Sequence, residues 1–127
     1  MKNIKRKTIN FNGEKTYINV GIYPESERMH IWAKTESGKE YQVTEDMPES
    51  ILYQGSSLVI SKECRESGLQ GILQKEGILF EQVGLTGKDG EILQILFFDP
   101  RKVREYDLET FDSLFQVTKV EDEMEAE

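Results

Sequence analysis

The chain has 127 residues, 37% of them hydrophobic, and a formal net charge of −8, which suits one domain with a buried core. It holds a single histidine, His30, and a single cysteine, Cys64. Most nucleophilic, acid–base and metal-dependent chemistries therefore lack the residues they need, and we expect a non-enzymatic protein without a metal or a cofactor. No run approaches the roughly 20 apolar residues that span a bilayer, and no apolar segment follows the basic N-terminus, which predicts a cytoplasmic protein that does not contact membranes.

The acidic residues are unevenly distributed. Five of the 24 lie in Glu121–Glu127, which leaves 19 acidic against 16 basic residues, a net charge of −3, for the rest of the chain. A body so close to neutral does not favour nucleic-acid binding, nor is it itself an acidic mimic of DNA. The pattern predicts one domain over residues 1–116 and a flexible acidic tail over 117–127, either disordered or docked on basic residues of the body.

Apolar alternation predicts β-strands in the first third of the chain, over residues 7–11, 15–23 and 28–35 and around Tyr41 and Val43. The Asn12-Gly13 dipeptide between the first two runs is typical of a tight hairpin. Four strands in an antiparallel meander follow from this order.

The second half alternates between helical and extended patterns. Residues 45–56 are predicted to be a connection with one helical turn near 49–53, and residues 57–61 a short strand. Ser67 and Gln70 have the spacing of a capping box before a helix that ends at Gly77; a start near Lys62 is the less favoured alternative.

Two more strands are predicted over 78–83 and 91–98, joined by a loop over 84–90. A packed segment with a short helix after Asp107 follows. We thus expect an α+β fold: an antiparallel meander sheet of six or seven strands, one short central helix and a short C-terminal helical segment. Its predicted core consists of Ile18, Val20, Ile22, Ile31, Val59, Leu69, Leu73, Leu79, Leu93, Ile95 and Phe97.

Two glycine-rich segments resemble ligand-binding loops. The segment Gly68-Leu69-Gln70-Gly71 has the GxxG form of a KH domain, but it contains no basic residue and continues into the predicted helix. Residues 84–90 lack the spacing of a phosphate-binding loop and precede no helix. We interpret the first as a helix start and the second as a hairpin turn.

The candidate interaction surface consists of two groups of residues, neither of which forms a catalytic or metal-binding constellation. His30 and Trp32 share one face of their strand, and either Tyr17 or Tyr23 is expected to neighbour them across the hairpin; both tyrosines are included in the candidate surface. A row formed by His30, Trp32 and one or other of these tyrosines can stack a base or a peptide, or it can be ordinary cross-strand packing. The other group is the basic cluster of the body, Arg101, Lys102 and Arg104. The remaining candidates, Cys64 and the acidic side chains of Asp107, Glu109 and Asp112, are interpreted as an ordinary thiol and a solvated face.

The order of features from Ser37 onward resembles a family of small bacterial proteins of gut Firmicutes and their mobile elements, the domain of unknown function numbered 4313. The resembling positions cover about half the chain: Ser37-Gly38-Lys39-Glu40-Tyr41 with Thr44 and Pro48, Gly68 with Leu73, Glu76-Gly77-Ile78, and Glu105-Tyr106-Asp107 before Phe111. The resemblance implies a small α+β domain of the bacterial cytoplasm and implies no activity.

Three functions are compatible with these patterns. The first is a small cytoplasmic binding or adaptor protein that docks on a protein partner, since tyrosine and tryptophan are favoured at interfaces. The alternative is a nucleic-acid-associated accessory protein encoded on a mobile element. It would act either as a weak binder through Lys2, Lys5, Arg6 and Lys7 or as an acidic inhibitor of a DNA-binding enzyme. The third, a carboxylate- or metal-dependent hydrolase, requires buried and convergent acidic side chains.

Overall fold

A computed structural model describes residues 6–24, 26–46 and 57–115. They form, in chain order, β1 (Ile9–Phe11), β2 (Glu14–Ile22), β3 (Met29–Thr35), β4 (Glu40–Gln42), β5 (Ser57–Val59), α1 (Lys62–Glu66), α2 (Leu69–Lys75), β6 (Leu79–Lys88), β7 (Glu91–Phe98), α3 (Pro100–Tyr106) and α4 (Leu108–Leu114). The predicted α+β class is confirmed. The predicted helical turn at 49–53, the tail at 117–127 and the basic residues Lys2 and Lys5 lie outside the described residues.

The strands form two antiparallel sheets, so the prediction of one meander of six or seven strands is wrong. One sheet has the order β1-β2-β3-β4, which confirms the four-stranded meander, and the other has the order β5-β7-β6. β7 lies between β5 and β6, and its apolar residues contribute to both clusters of the core. An isolated bridge between Thr44 and Ile60 links the two sheets.

A two-residue turn closes one hairpin in each sheet, β1–β2 in the first and β6–β7 in the second. Asn12 and Gly13 have φ angles of 54° and 79°, and Asp89 and Gly90 have 51° and 80°, the left-handed backbone that a tight hairpin turn requires. The loop predicted over 84–90 is wrong, because β6 continues to Lys88. Gly84 and Gly87 are tolerated in this strand because the residues opposite them on β7 are the apolar Ile95 and Ile92.

The central helical region consists of two helices, not the predicted single one. Ser61 caps α1, its Oγ accepting the Cys64 N–H at 3.0 Å. Ser67 is not the start of a capping box with Gln70. It ends α1, and its Oγ accepts the Leu69 N–H at 3.3 Å. Gly68, with a φ of 89°, then separates the two helices.

The C-terminal segment is also more helical than its sequence predicts. The short helix after Asp107 is confirmed as α4, and α3 precedes it. Asp99 caps α3 by accepting the Arg101 N–H at 2.9 Å, and Pro100 occupies the first helical turn, where its missing N–H is not needed.

The main core is formed by the inner face of the first sheet, the four helices and residues of the second sheet, among them Leu96 and Phe98 of β7. A smaller cluster consists of Val59, Leu93 and Ile95. Of the predicted core, Ile22 and Phe97 are partly exposed and the rest are buried. The C-terminal helices contribute Val103, Tyr106 and Phe111, which the prediction omitted. Within the described residues, no helix has the length and apolar character to cross a membrane.

Candidate interaction surface

The outer face of the first sheet carries the predicted aromatic residues. Strand alternation buries Ile18 and Val20 of β2 on the inner face. It places the intervening residues on the outer face, where the β2–β3 register sets Gly21 opposite His30 and Asn19 opposite Trp32. Tyr23, His30 and Trp32 are all partly exposed.

Tyr23, His30 and Trp32 form a continuous aromatic ladder. The rings of Tyr23 and His30 are stacked with centroids 4.5 Å apart and planes inclined by 21°, and those of His30 and Trp32 are 4.7 Å apart and inclined by 37°. Gly21 makes room for this arrangement, since a Cβ there would lie 3.3 Å from Cζ3 of Trp32. The imidazole of His30 is thus held between two larger rings.

Polar contacts fix both ends of the histidine–tyrosine pair. Nε2 of His30 lies 2.7 Å from Oε1 of Gln42, and the hydroxyl of Tyr23 lies 2.8 Å from Oγ1 of Thr44. Burial raises the pKa of Tyr23, and the negative charges of Glu45 and Asp46 raise it further, although the hydrogen bond to Thr44 opposes this. Both carboxylates therefore lie near the Tyr23 hydroxyl, and that of Glu45 is itself paired with the Lys88 ammonium at 2.7 Å.

Tyr17 lies apart from the aromatic ladder. The guanidinium of Arg6 sits over its ring, 5.2 Å from the centroid, and the two residues help to line an open cleft of about 430 Å³ with Asn19, Lys34, Thr35 and Glu36. Arg6 is committed to the fold: it donates to the carbonyl oxygens of Tyr106, at 3.0 and 3.1 Å, and of Ile18. Of the two tyrosines that the sequence offered as neighbours of His30 and Trp32, the structure places Tyr23 in the row and Tyr17 outside it.

The basic cluster of Arg101, Lys102 and Arg104 lies on α3, which packs against the inner side of the fold through Val103 and Tyr106. The structure does not join this cluster to the aromatic ladder. Arg104 forms a two-point contact with Asp112, at 2.7 and 2.9 Å, and Lys102 lies against Gly77. Arg101 is exposed.

Sequence reasoning missed the residues that position the aromatic ladder. Gln42 and Thr44 bind His30 and Tyr23 from β4 and the residues that follow it, and Gly21 makes room for Trp32. An isolated glycine inside a strand pattern was the available signal, because such a residue often marks close approach of another group. No signal in the sequence pointed to Gln42.

The other chemistry-bearing residues are engaged in the fold. Cys64 is buried, and burial raises its pKa to about 12, which makes the thiol unreactive. Asp107 is buried, accepts the Val20 N–H at 3.2 Å, and lies 3.8 Å from the Arg6 guanidinium. Asp107 thus binds the N–H of Val20, and Arg6 binds the carbonyl of Ile18. Both groups belong to the part of β2 that β1 does not pair with. Among residues 6–24, 26–46 and 57–115, no group of three histidine, cysteine or acidic side chains could hold a metal ion.

Comparison with known proteins adds no relative. No protein-family model, no curated protein and no solved structure matches this chain. The resemblance to the family numbered 4313 therefore stays a prediction, and the case for a function depends on the surface described above.

Proposed function

We propose that this protein is a non-catalytic binding module that docks a protein partner on the aromatic ladder of Tyr23, His30 and Trp32. The observation that carries the proposal is the fixed geometry of this partly exposed row. Each ring packs against its neighbour, and hydrogen bonds to Thr44 and Gln42 also hold Tyr23 and His30. Rigid aromatic side chains provide contact area at little cost in conformational entropy, which is why they are enriched among the residues that dominate binding energy.

The charges around the aromatic ladder favour a protein over a nucleic acid. The carboxylates of Glu45 and Asp46 lie close enough to Tyr23 to raise its pKa. Although Glu45 is also paired with Lys88, acidic groups at this end disfavour a phosphate and suit a partner that presents basic side chains. Of the basic residues that the nucleic-acid alternative requires, Arg6 is bound to backbone carbonyls and Lys7 is paired with Glu105 at 2.9 Å. That alternative has less support than the protein-binding function.

The experiment compares the wild-type chain with Trp32→Ala in affinity capture from the source cells. Phe80→Ala is the matched control, because Phe80 is an aromatic residue of the other sheet with 45% of its surface exposed. We expect a protein retained by the wild type and by Phe80→Ala to be lost by Trp32→Ala, while circular dichroism shows all three chains folded. Equal capture by Trp32→Ala would contradict the proposal.

The purified partner is then titrated against the chain while tryptophan fluorescence is recorded. Trp32 is the only tryptophan, so its emission reports on this surface directly. A single-stranded oligonucleotide serves as the competing ligand. If it quenches Trp32 in a salt-dependent way and no protein does, the nucleic-acid alternative is favoured instead.

A further inference from the structure

The second sheet, as far as the structure describes it, ends in the strand β6. β6 pairs with β7 on one side, and in the part of the chain that the structure describes no strand pairs with its other side. The beginning of this edge is irregular: two register shifts lie between Leu79 and Gly84, and the Gln74 side chain donates to the Phe80 carbonyl at 3.0 Å. Residues 84–88 continue as a regular ladder to the turn. A regular open edge is a template for another strand.

Two exposed apolar side chains lie beside this regular segment. Leu85 and Ile92 have 58% and 64% of their surface exposed. Leu85 pairs with Gln94 and Gly87 pairs with Ile92, so the two apolar side chains are diagonal neighbours on one face of the hairpin. Gly87 has no side chain to cover Ile92, which leaves a gap next to the open edge.

The hairpin geometry identifies the backbone groups that point outward. Residues that flank a two-residue turn form a hydrogen-bonded pair, and bonding alternates along an antiparallel ladder. Lys88 and Glu91 flank the turn here. The N–H and C=O groups of Leu85 and Gly87 therefore point away from β7, toward the open side.

We propose that the strand that occupies this edge belongs to a second copy of the chain, paired antiparallel about a two-fold axis at residue 86. In this register the outward backbone groups of Leu85 bond to those of Gly87 in the second copy. By symmetry, the outward groups of Gly87 bond to those of Leu85 in the second copy. Each Leu85 side chain then lies over the bare Gly87 of the other copy, next to Ile92. The two three-stranded sheets become one six-stranded sheet.

The segment is complementary to itself, which is the reason to favour a second copy over an unrelated strand. One register covers the exposed side chains of both copies and fills both gaps, as a two-fold symmetric interface requires. Lys88 is the one charged residue between positions 84 and 88, and in this register it faces Gly84 of the second copy. No like charges are opposed across the pairing.

The oligomeric state is measured by sedimentation equilibrium of the full chain from micromolar to millimolar concentration. We expect a reversible dimer with twice the chain mass. Leu85→Lys should raise its dissociation constant at least about tenfold, because each dimer buries Leu85 twice. The control Phe80→Lys makes the same apolar-to-basic change on the same strand but outside the paired segment, and it should leave the constant unchanged. A monomer at every concentration would overturn the proposal, as would a dimer equally insensitive to both substitutions.

Cross-linking tests the register. Thr86→Cys places two thiols directly opposite each other across the axis, within the roughly 4.4–6.8 Å between Cα atoms that a disulfide spans. Leu85→Cys places its two thiols on diagonal positions about 7–8 Å or more apart, which is too far. With an added oxidant we expect only Thr86→Cys to form a covalent dimer, and buried Cys64 should contribute no background. A dimer in which Thr86→Cys does not cross-link would refute this register. Neither experiment involves the aromatic ladder, so their failure leaves the proposed function untouched.

Discussion

Two glycines of the α2 region should respond in opposite directions to the same substitution by alanine. Gly77 ends α2 with a φ of 82°. Its N–H donates to the Gln74 carbonyl at 3.1 Å, and the Ile78 N–H donates to the Leu73 carbonyl at 2.9 Å. These are the two hydrogen bonds of a Schellman motif, in which the left-handed residue allows the chain to leave the helix while its last carbonyls stay bonded. Gly71, by contrast, lies in the interior of α2.

The magnitudes follow from the two environments. A non-glycine residue in the left-handed region costs roughly 1–2 kcal/mol, and a Cβ at Gly77 meets only the Lys102 Cε at 3.7 Å, an ordinary contact. Gly77→Ala should therefore lower the free energy of unfolding by about 1–2 kcal/mol. A Cβ at Gly71 meets nothing within 4 Å, so Gly71→Ala should raise it by roughly 0.5–1 kcal/mol, the difference in helix propensity.

Thermal and urea denaturation of the two variants and the wild type measure these changes. A change of 1 kcal/mol shifts the melting temperature of a domain of this size by about 4 °C, so the melting temperatures of Gly77→Ala and Gly71→Ala should differ by about 8 °C. Gly77→Asn is a second control, since asparagine tolerates the left-handed region and should cost less than alanine. Changes of the same sign in both alanine variants would refute the assignment of Gly77 as the helix end.

Other substitutions test the core, the thiol, the β2 edge and the tail. Leu73→Ala should lower the free energy of unfolding by about 2–5 kcal/mol in urea denaturation, because the side chain is fully buried. Asp107→Ala should lower it by about 1–3 kcal/mol, since a buried backbone donor loses its acceptor, and Asp107→Asn should lower it less because an acceptor oxygen remains. Cys64 should react with a thiol reagent only after unfolding, and its contribution to stability should decline as the pH rises from the ordinary pKa of 9.0 towards the folded pKa of about 12. Deletion of Glu121–Glu127 should leave the melting temperature nearly unchanged while it lowers solubility near neutral pH, because the net charge becomes −3.

Each of these predictions has an outcome that contradicts it. A loss below about 1 kcal/mol for Leu73→Ala would place that side chain at the surface. Equal losses for the two Asp107 variants would assign the effect to charge and not to the hydrogen bond. Rapid reaction of Cys64 in the folded chain would contradict its burial, and a drop of more than about 5 °C on deletion of the tail would indicate that the tail is docked.

The aromatic surface shows how far the sequence could predict the site. Period-two alternation placed His30 and Trp32 on the outer face, because side-chain direction in a strand depends only on position along it. The same alternation offered Tyr17, as well as Tyr23, as a neighbour of this pair. In the folded chain Tyr17 lies opposite Lys34, and its ring packs under the Arg6 guanidinium, which bonds to Tyr106, a residue distant in the chain. Alternation carries no information about such a contact.

The sequence by itself determined the local features of this fold: the tight turns at Asn12-Gly13 and Asp89-Gly90, the inner faces of the early strands, and the end of α2 at Gly77. These follow from backbone preference and side-chain spacing, which act over a few residues. Only the tertiary structure decided the position of β7 between β5 and β6 and the division of the strands into two sheets. Strand order depends on which apolar surfaces become buried against each other, and many pairings of similar strands satisfy the same local pattern. The stacking of Tyr23 on His30 and the position of β6 at the end of its sheet among the described strands are consequences of that order. For this reason the two proposed binding surfaces could be located only in the folded chain.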